Sequence, residues 1–308
     1  MSLVFYSLTD DPQPWREALA RALPALPFHV WPQVPAPEAV HYTLVWKPPR
    51  GWHRQFPNLR AILSLGAGVD ALLEDPDLPA VPITRLVDGG LARQMAEYAL
   101  YAVLHFHRRM PEYARQQRAR QWRILEPNAV EDSVVGVLGL GVLGAEAARL
   151  VAAAGFPVCG WSRTPRRIPG VDGLWGEDGL AALQRRARIV VNFLPLTPAT
   201  RGLLDARFFS RLQPGACLVN VARGAHLVEA DLLAALDGGH LGGAMLDVFA
   251  EEPLPPGHPF WTHPRVVLTP HVAGITLAAE AAAQVIQNLR RLEAGEPPQG
   301  VVDRSAGY

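Results

Sequence analysis

Chemistry in this 308-residue chain is most legible in a run of glycines. The apolar stretch from Val134 to Leu138 meets Gly139, Gly141 and Gly144 in the spacing G-x-G-x-x-G, and the small-residue stretch Ala145 to Ala154 follows, closed by Gly155. The pattern predicts strand, tight turn and helix start. Gly139 allows the turn, Gly141 lets the backbone approach a pyrophosphate, and Gly144 lets helix pack on strand. The N–H groups of the helix start, at Val142 and Leu143, then face phosphate oxygens. Such a loop predicts a dinucleotide. The next apolar run, Val158 to Trp161, ends in Ser162, Arg163, Thr164, Pro165, Arg166 and Arg167. An NAD site usually places a carboxylate there for the ribose hydroxyls. Here Ser162 replaces the acid, and Arg163 and Arg166 follow. An acid would repel a 2′-phosphate, whereas hydroxyl and guanidinium groups would hold one. NADP(H) is therefore the expected cofactor, with NAD the weaker alternative.

Three later segments carry further polar groups just past apolar runs. Arg223 follows Cys217–Asn220. Asp247 ends the run Gly243–Asp247, and Glu251 and Glu252 follow it. His271 follows Val266–Leu268. Parallel strands in those runs would deliver all three segments to the carboxyl ends of one sheet, where open α/β sheets bind ligands.

The elements that must position these groups read as alternating strands and helices. In the first part, Leu3–Tyr6, His41–Trp46, Leu59–Leu65 and Val81–Leu86 are predicted strands. Trp15–Leu23 is a predicted helix, and the proline-rich 24–37 mostly loop or extended chain. Gly90–Ala119 reads as a long helix interrupted at Pro111, and Trp122–Asp132 as a linker. From Val134 onward six near-continuous apolar runs are separated by helices. That predicts a parallel sheet buried on both faces, with the strand count of a dinucleotide domain. A last helix is expected over about Thr276–Glu293, then a loop-like tail from Gly295 to Tyr308.

These motifs, with Gly66-Ala67-Gly68-Val69-Asp70 and the stretch Asn192 to Thr200, resemble in order the D-isomer-specific 2-hydroxyacid dehydrogenase family. Val45-Trp46-Lys47-Pro48-Pro49, Trp161-Ser162-Arg163, Asp247–Pro255 and the ending Val302–Tyr308 resemble its glyoxylate/hydroxypyruvate reductase A type. The resemblance implies an α/β, two-domain fold: a Rossmann-type NADP-binding domain (99–275) inserted in a flavodoxin-like substrate domain (1–98 plus 276–308). It implies Arg223 as the substrate-binding and catalytic arginine, Glu252, directly before proline, as the acid of a dyad, and His271 as the catalytic acid/base. A histidine titrates near neutral pH and can protonate a carbonyl oxygen. A carboxylate beside it orients it, and a guanidinium pairs with the substrate carboxylate. Asp247 is expected near the nicotinamide, and Leu194 and Pro195 near the cofactor's ribose and adenine side. Ala67 and Gly68 are expected to offer backbone N–H groups to the substrate as an anion nest. Trp46 is read equally as a wall of the substrate pocket and as a structural tryptophan at a strand end. The other histidines, among them His105, His107 and His226, are read as surface groups or satisfied core residues.

The implied reaction is NADPH-dependent reduction of glyoxylate to glycolate and of hydroxypyruvate to D-glycerate, in a homodimer that uses its long helix and the Trp122 region as interface. No metal is assigned. The alternatives are a different small 2-oxo acid in the same fold, and a nucleotide-sensing corepressor-like binding protein. Formal net charge is zero and pI about 7.2, so no strong field draws nucleic acid or anionic membrane. Met1–Asp10 has no signal-peptide pattern and no run of about 18 apolar residues is present. Cys159 and Cys217 lie in apolar runs and are expected as free thiols, which suits a reducing, cytoplasmic setting. Lys47 is the only lysine and receives no functional weight.

Overall fold

The computed structural model describes residues 1–88 and 90–308, which form two compact units, Met1–Gly90 with Thr276–Tyr308 and Leu91–Ile275. The first unit is built on β1 (Ser2–Tyr6), β2 (Phe28–Val30), β3 (Val40–Val45), β4 (Ala61–Ser64) and β5 (Ile83–Thr84). They form one parallel sheet in the order β2-β1-β3-β4-β5, the flavodoxin-like order. β1 and β4 are buried at every position, as a sheet covered on both faces requires. One cover is the helix Pro12–Ala22, which opens on an Asp11 cap to the Gln13 N–H and buries Trp15 and Leu19. It packs against the C-terminal helix Ala278–Glu293.

Within the loop and extended chain of residues 24–37, one short strand forms: Phe28–Val30 pairs in parallel with β1. Pro27 and Pro32 flank that strand without entering it, and the strand pairs on one side only, an edge position where neighbouring prolines are tolerated. The tail is loop-like and is tied to the sheet at two residues. The Val302 N–H bonds to the Ile83 carbonyl at 2.9 Å, Val301 bridges Thr84, and Val302 is buried. An apolar pair in a polar tail closes the exposed edge of β5.

The second unit is a seven-stranded parallel sheet. Its strands are β6 (Val135–Leu138), β7 (Val158–Ser162), β8 (Asp172–Trp175), β9 (Ile189–Asn192), β10 (Ala216–Asn220), β11 (Leu241–Leu246) and β12 (Val266–Leu268), in the order β12-β11-β10-β9-β6-β7-β8. This is the doubly wound dinucleotide-binding order with one strand added beyond the sixth. The sequence showed six strands because β8 carries Asp172 and Gly173 and is largely exposed. It is an edge strand without an apolar run. Successive residues of the inner strands enter opposite cores. Val190, Leu218, Ala244 and Leu246 pack in one; Ile189, Val191, Val219 and Met245 pack in the other. This is the alternation a two-sided sheet demands.

The long helix expected over Gly90–Ala119 is two helices, Leu91–His107 and Met110–Arg118. The break lies at Arg109, which is left-handed at φ 59°. Pro111 sits in the first turn of the second helix, where its missing N–H costs nothing. The whole helix Leu91–His107 belongs to the second unit. It lays Ala96, Ala99, Ala102 and Val103 against Ala147, Ala148 and Val151 of the helix Val142–Ala153, and small residues on both helices permit close approach. The division of the chain therefore precedes this helix, whereas the expected boundary at 98/99 cut through it.

Candidate active site

The glycine loop folds as a cradle. Gly139 has φ +93°, and a side chain there would press on the backbone of Phe193 and Leu194 at about 2.9 Å. A Cβ on Gly144 would run into the Gly139 carbonyl, so both positions require glycine. At Gly141 the space is open, and this residue caps the helix Val142–Ala153 without a side-chain hydrogen bond. The first N–H groups of that helix thus lack intrahelical partners and point outward, as an anion site needs. Val142 is 45 % exposed beside them. Leu194 and Pro195 lie at the end of the adjacent strand β9. Leu194 is buried and its N–H bonds to Asn192 Oδ1 at 3.1 Å. The Pro195 carbonyl accepts Thr200 Oγ1 at 2.7 Å.

At the end of β7, Ser162 is half-buried and Arg163 and Arg166 are exposed. Ser162 Oγ donates to the Thr164 carbonyl at 2.7 Å, folding the loop back on itself. No acid lies between Trp161 and Gly170. The donor set thus fits a dinucleotide with a phosphate on its adenosine ribose and opposes none of that phosphate's charge.

Arg223, Glu252 and His271 come from neighbouring strands. β10, β11 and β12 are consecutive in the sheet, with Asn220 in register with Leu246 and Leu246 with Leu268. Arg223 and His271 each stand three residues past their register position. His271 Nδ1 and Glu252 Oε2 are 2.9 Å apart, and the two side chains are 32 % and 25 % exposed. Glu252 Oε1 accepts the Phe249 N–H at 3.1 Å, so both carboxylate oxygens are engaged. Glu251 is exposed. His271 adopts φ 56°, a region that costs a residue with a side chain on the order of 1 kcal/mol. Its N–H bonds to the Asp247 carbonyl at 2.8 Å.

Asp247 is nearly fully buried. Oδ1 accepts Thr269 Oγ1 at 2.6 Å and the Val272 N–H at 2.8 Å, and Oδ2 accepts the Ala273 N–H at 2.8 Å. Three of its contacts are therefore spent on the loop that carries His271, which the sequence did not suggest.

The loop of Arg223 rests on polar groups that sequence reasoning passed over. Asn192 and Asn220, both fully buried, bond to each other at 3.0 Å, and Asn220 Nδ2 donates to the Arg223 carbonyl at 3.0 Å. His226, also fully buried, lies between the Arg223 and Pro195 carbonyls at 3.1 and 3.2 Å, an interior histidine whose N–H donates to one of them. Gly224 presses on the backbone of Phe249 and Ala250, where no Cβ fits. Glu229 also receives the Ala250 N–H at 3.3 Å and pairs with His258 at 3.2 Å. The only available signal was polarity at strand ends, Asn192 after Val191 and Asn220 after Val219, in otherwise apolar runs. The Arg223 guanidinium itself donates to the Ala222 carbonyl at 2.7 Å.

In the first unit, Gly66-Ala67-Gly68 follows β4. The Gly66 carbonyl accepts the Leu86 N–H, and Thr276 Oγ1 donates to the Leu65 carbonyl at 2.8 Å. Among the described residues, the Ala67 and Gly68 N–H groups have no protein acceptor. The Trp46 ring covers Gly66 so closely that a Cβ would lie 2.5 Å from it, and Lys47 stands over the ring at 5.6 Å. Trp46 is therefore at once the lid of this turn and a half-buried residue at a strand end.

Residues 100–273 match the family model described as D-isomer specific 2-hydroxyacid dehydrogenase, NAD binding domain. The chain is 46 % identical to glyoxylate/hydroxypyruvate reductase A of Photorhabdus laumondii, with all of both chains covered. It is 45 % identical to the enzyme of that name from Serratia proteamaculans, again over all of both. Among solved structures, a D-isomer specific 2-hydroxyacid dehydrogenase from Xanthobacter autotrophicus Py2, in complex with NADPH and MES, is 46 % identical with a TM-score of 0.96. That alignment covers 100 % of this chain and 99 % of the other. An NADPH-dependent glyoxylate/hydroxypyruvate reductase from Sinorhizobium meliloti, in complex with NADP and sulfate, is 39 % identical with a TM-score of 0.92 over the full length of both. The chain belongs to the D-isomer specific 2-hydroxyacid dehydrogenase family.

Proposed function

We propose that the chain reduces glyoxylate to glycolate and hydroxypyruvate to D-glycerate with NADPH. The observation that carries this reading is the 2.9 Å pair of His271 Nδ1 and Glu252 Oε2, at the carboxyl edge of the sheet that begins with the glycine cradle. Glu252 Oε2 accepts the hydrogen bond of the imidazolium Nδ1–H, which leaves Nε2–H to give its proton to the substrate carbonyl oxygen and the imidazole neutral afterwards. Arg223 pairs with the substrate carboxylate in a forked contact and draws charge from the carbonyl. When bound, the nicotinamide supplies the hydride that the carbonyl carbon receives. The N-terminal turn of Val142–Ala153, with Gly139, Gly141, Val142, Leu143 and Gly144, holds the pyrophosphate. Ser162, Arg163 and Arg166 hold the 2′-phosphate. Leu194 and Pro195 pack near the cofactor, and Asp247 faces the nicotinamide side of the sheet edge. In the first unit, the unbonded N–H groups of Ala67 and Gly68 form an anion turn that we assign to the substrate carboxylate, with Trp46 beside it. The names of the relatives above support the choice of substrates and of NADPH.

The test is direct: the purified chain is mixed with NADPH and glyoxylate or hydroxypyruvate, and absorbance of the reduced cofactor is followed. Oxidation should depend on the 2-oxo acid, and His271→Ala should lower turnover by roughly two to four orders of magnitude while NADPH still binds. No oxidation with any small 2-oxo acid would overturn the proposal.

Two chains are proposed to associate in the cytoplasm. Supporting this are Trp122, 100 % exposed, Ile124, 86 %, and Tyr101 and Leu104 on the helix Leu91–His107, 54 % and 41 %, apolar side chains that a partner chain would cover. Both cysteines are free, which suits a reducing compartment. Light scattering tests the dimer: Trp122→Ser with Ile124→Ser should give the mass of one chain, and an unchanged dimer would refute this interface.

A further inference from the structure

We infer that Tyr98 and Thr269 are positioning residues for His271, linked to its loop through the carboxylate of Asp247. The inference rests on the reading of His271 as proton donor. Tyr98 lies on the helix Leu91–His107 and Thr269 just past β12, and their hydroxyls are 2.6 Å apart. Thr269 Oγ1 is also 2.6 Å from Asp247 Oδ1.

Proton accounting fixes the direction of this chain. A carboxylate only accepts, so the single Thr269 hydroxyl proton goes to Asp247. The Tyr98 O–H must then donate to Thr269, and the order reads Tyr98 to Thr269 to Asp247. Burial pushes the Tyr98 hydroxyl up to about 12, so it holds this proton throughout the neutral range.

The far end of the chain brackets His271. Asp247 receives the hydroxyl two residues before it and the N–H groups of the two residues after it, Val272 and Ala273. The Asp247 carbonyl holds the N–H of His271 itself. The left-handed backbone of His271 is intrinsically unfavourable, so the loop keeps this shape only while its surroundings hold it. Hydrogen bonds to a charged group are the strong ones. Removing the Thr269 hydroxyl takes away one clamp on the N-terminal side of His271 and leaves the half-buried Tyr98 hydroxyl without its acceptor. The imidazole then samples orientations in which Nε2 misses the substrate oxygen. An error near 1 Å at a reacting atom can cost two orders of magnitude in rate, so a partial loss is expected.

The experiment compares Thr269→Val, Thr269→Ser and Tyr98→Phe with wild type, reading kcat and KM with glyoxylate, Kd for NADPH, and Tm. Thr269→Val should lower kcat about tenfold and Tyr98→Phe by about threefold to tenfold, the scale of a lost hydrogen bond in a charged network. KM and the NADPH Kd should stay within about twofold, because neither hydroxyl is placed on a ligand. Thr269→Ser, which keeps the hydroxyl, should return kcat to within about twofold of wild type. Wild-type kcat in both Thr269→Val and Tyr98→Phe would overturn the inference. So would a fall in kcat that tracks weaker NADPH binding, because the network would then serve the cofactor. If Thr269→Val does not fold, Tyr98→Phe decides. His271→Asn is measured alongside: near-wild-type turnover there would sink the proton-donor reading itself, an outcome distinct from failure of the positioning network.

Discussion

Replacing Glu252 by Gln tests the proposed dyad with the least change in shape. Glu252 Oε1 accepts the Phe249 N–H at 3.1 Å, and Oε2 faces His271 Nδ1 at 2.9 Å. Glutamine has one oxygen and one NH₂ in place of two oxygens. If its oxygen stays on Phe249, the NH₂ faces Nδ1. An imidazolium carries a proton on Nδ1, so two donors would then meet and the form that donates a proton from Nε2 is disfavoured. If the amide turns over, the Phe249 N–H loses its acceptor and the Glu252 loop is released. Either way one charge-assisted hydrogen bond is lost, on the order of 1.5–3 kcal/mol. The pair is 32 % and 25 % exposed on its two sides, so solvent screening keeps the loss toward the lower end of that range. A loss of that size corresponds to a fall in kcat of about one to two orders of magnitude. Steady-state NADPH oxidation with saturating glyoxylate reads kcat, and quenching of intrinsic fluorescence reads NADPH binding, which should stay within about twofold. Glu251→Gln, at the exposed neighbour, should leave kcat unchanged. A Glu252→Gln enzyme within threefold of wild type would refute the dyad.

Two further outcomes follow from the same geometry. Arg163→Ala combined with Arg166→Ala should weaken NADPH by roughly one to two orders of magnitude, the scale of two charge-assisted contacts to phosphate, and leave NADH nearly unchanged. Equal losses for both cofactors, read by fluorescence titration, would remove the phosphate role. His53 supplies a pH test. It is almost fully buried, and among the described residues neither ring nitrogen has a hydrogen-bond partner. Burial pushes it from 6.5 to about 4, and Asp75 opposes that only in part. The unfolded chain therefore takes up a proton below about pH 6.5 that the folded chain refuses, so stability present above that pH is lost as pH falls toward 4. Tm measured across this window should drop for wild type and drop less for His53→Leu; parallel curves would show that His53 is not the group responsible.

Much of this protein is written locally. Gly139, Gly141 and Gly144 specify their turn because only glycine tolerates φ +93° or the contact with a neighbouring carbonyl. The apolar runs from Val135 onward specify a two-sided parallel sheet because an inner strand buries side chains on both faces, as β6 and β9 do at every position. Ser162 in place of an acid is a statement about charge that needs no coordinates. Arg223, Glu252 and His271 were identifiable from their order along the chain and their position past strand ends, as members of a resemblance.

What the fold alone decided depends on groups brought together from distant parts of the chain. β8 forms because an exposed edge position next to β7 exists for it, and nothing in its own composition reports that. The interruption expected at Pro111 falls two residues earlier, at Arg109, whose left-handed backbone separates Leu91–His107 from Met110–Arg118. Asp247 reads in the sequence as a group near a ligand, and the structure adds that three of its contacts hold the loop of His271. Tyr98 and Thr269, far apart in sequence, meet over that carboxylate. A hydrogen bond between strand ends leaves no periodic trace in sequence, because its partners are set by sheet order and register. The sequence therefore determined which groups could do the chemistry, and the tertiary structure determined which other groups hold them in place to do it.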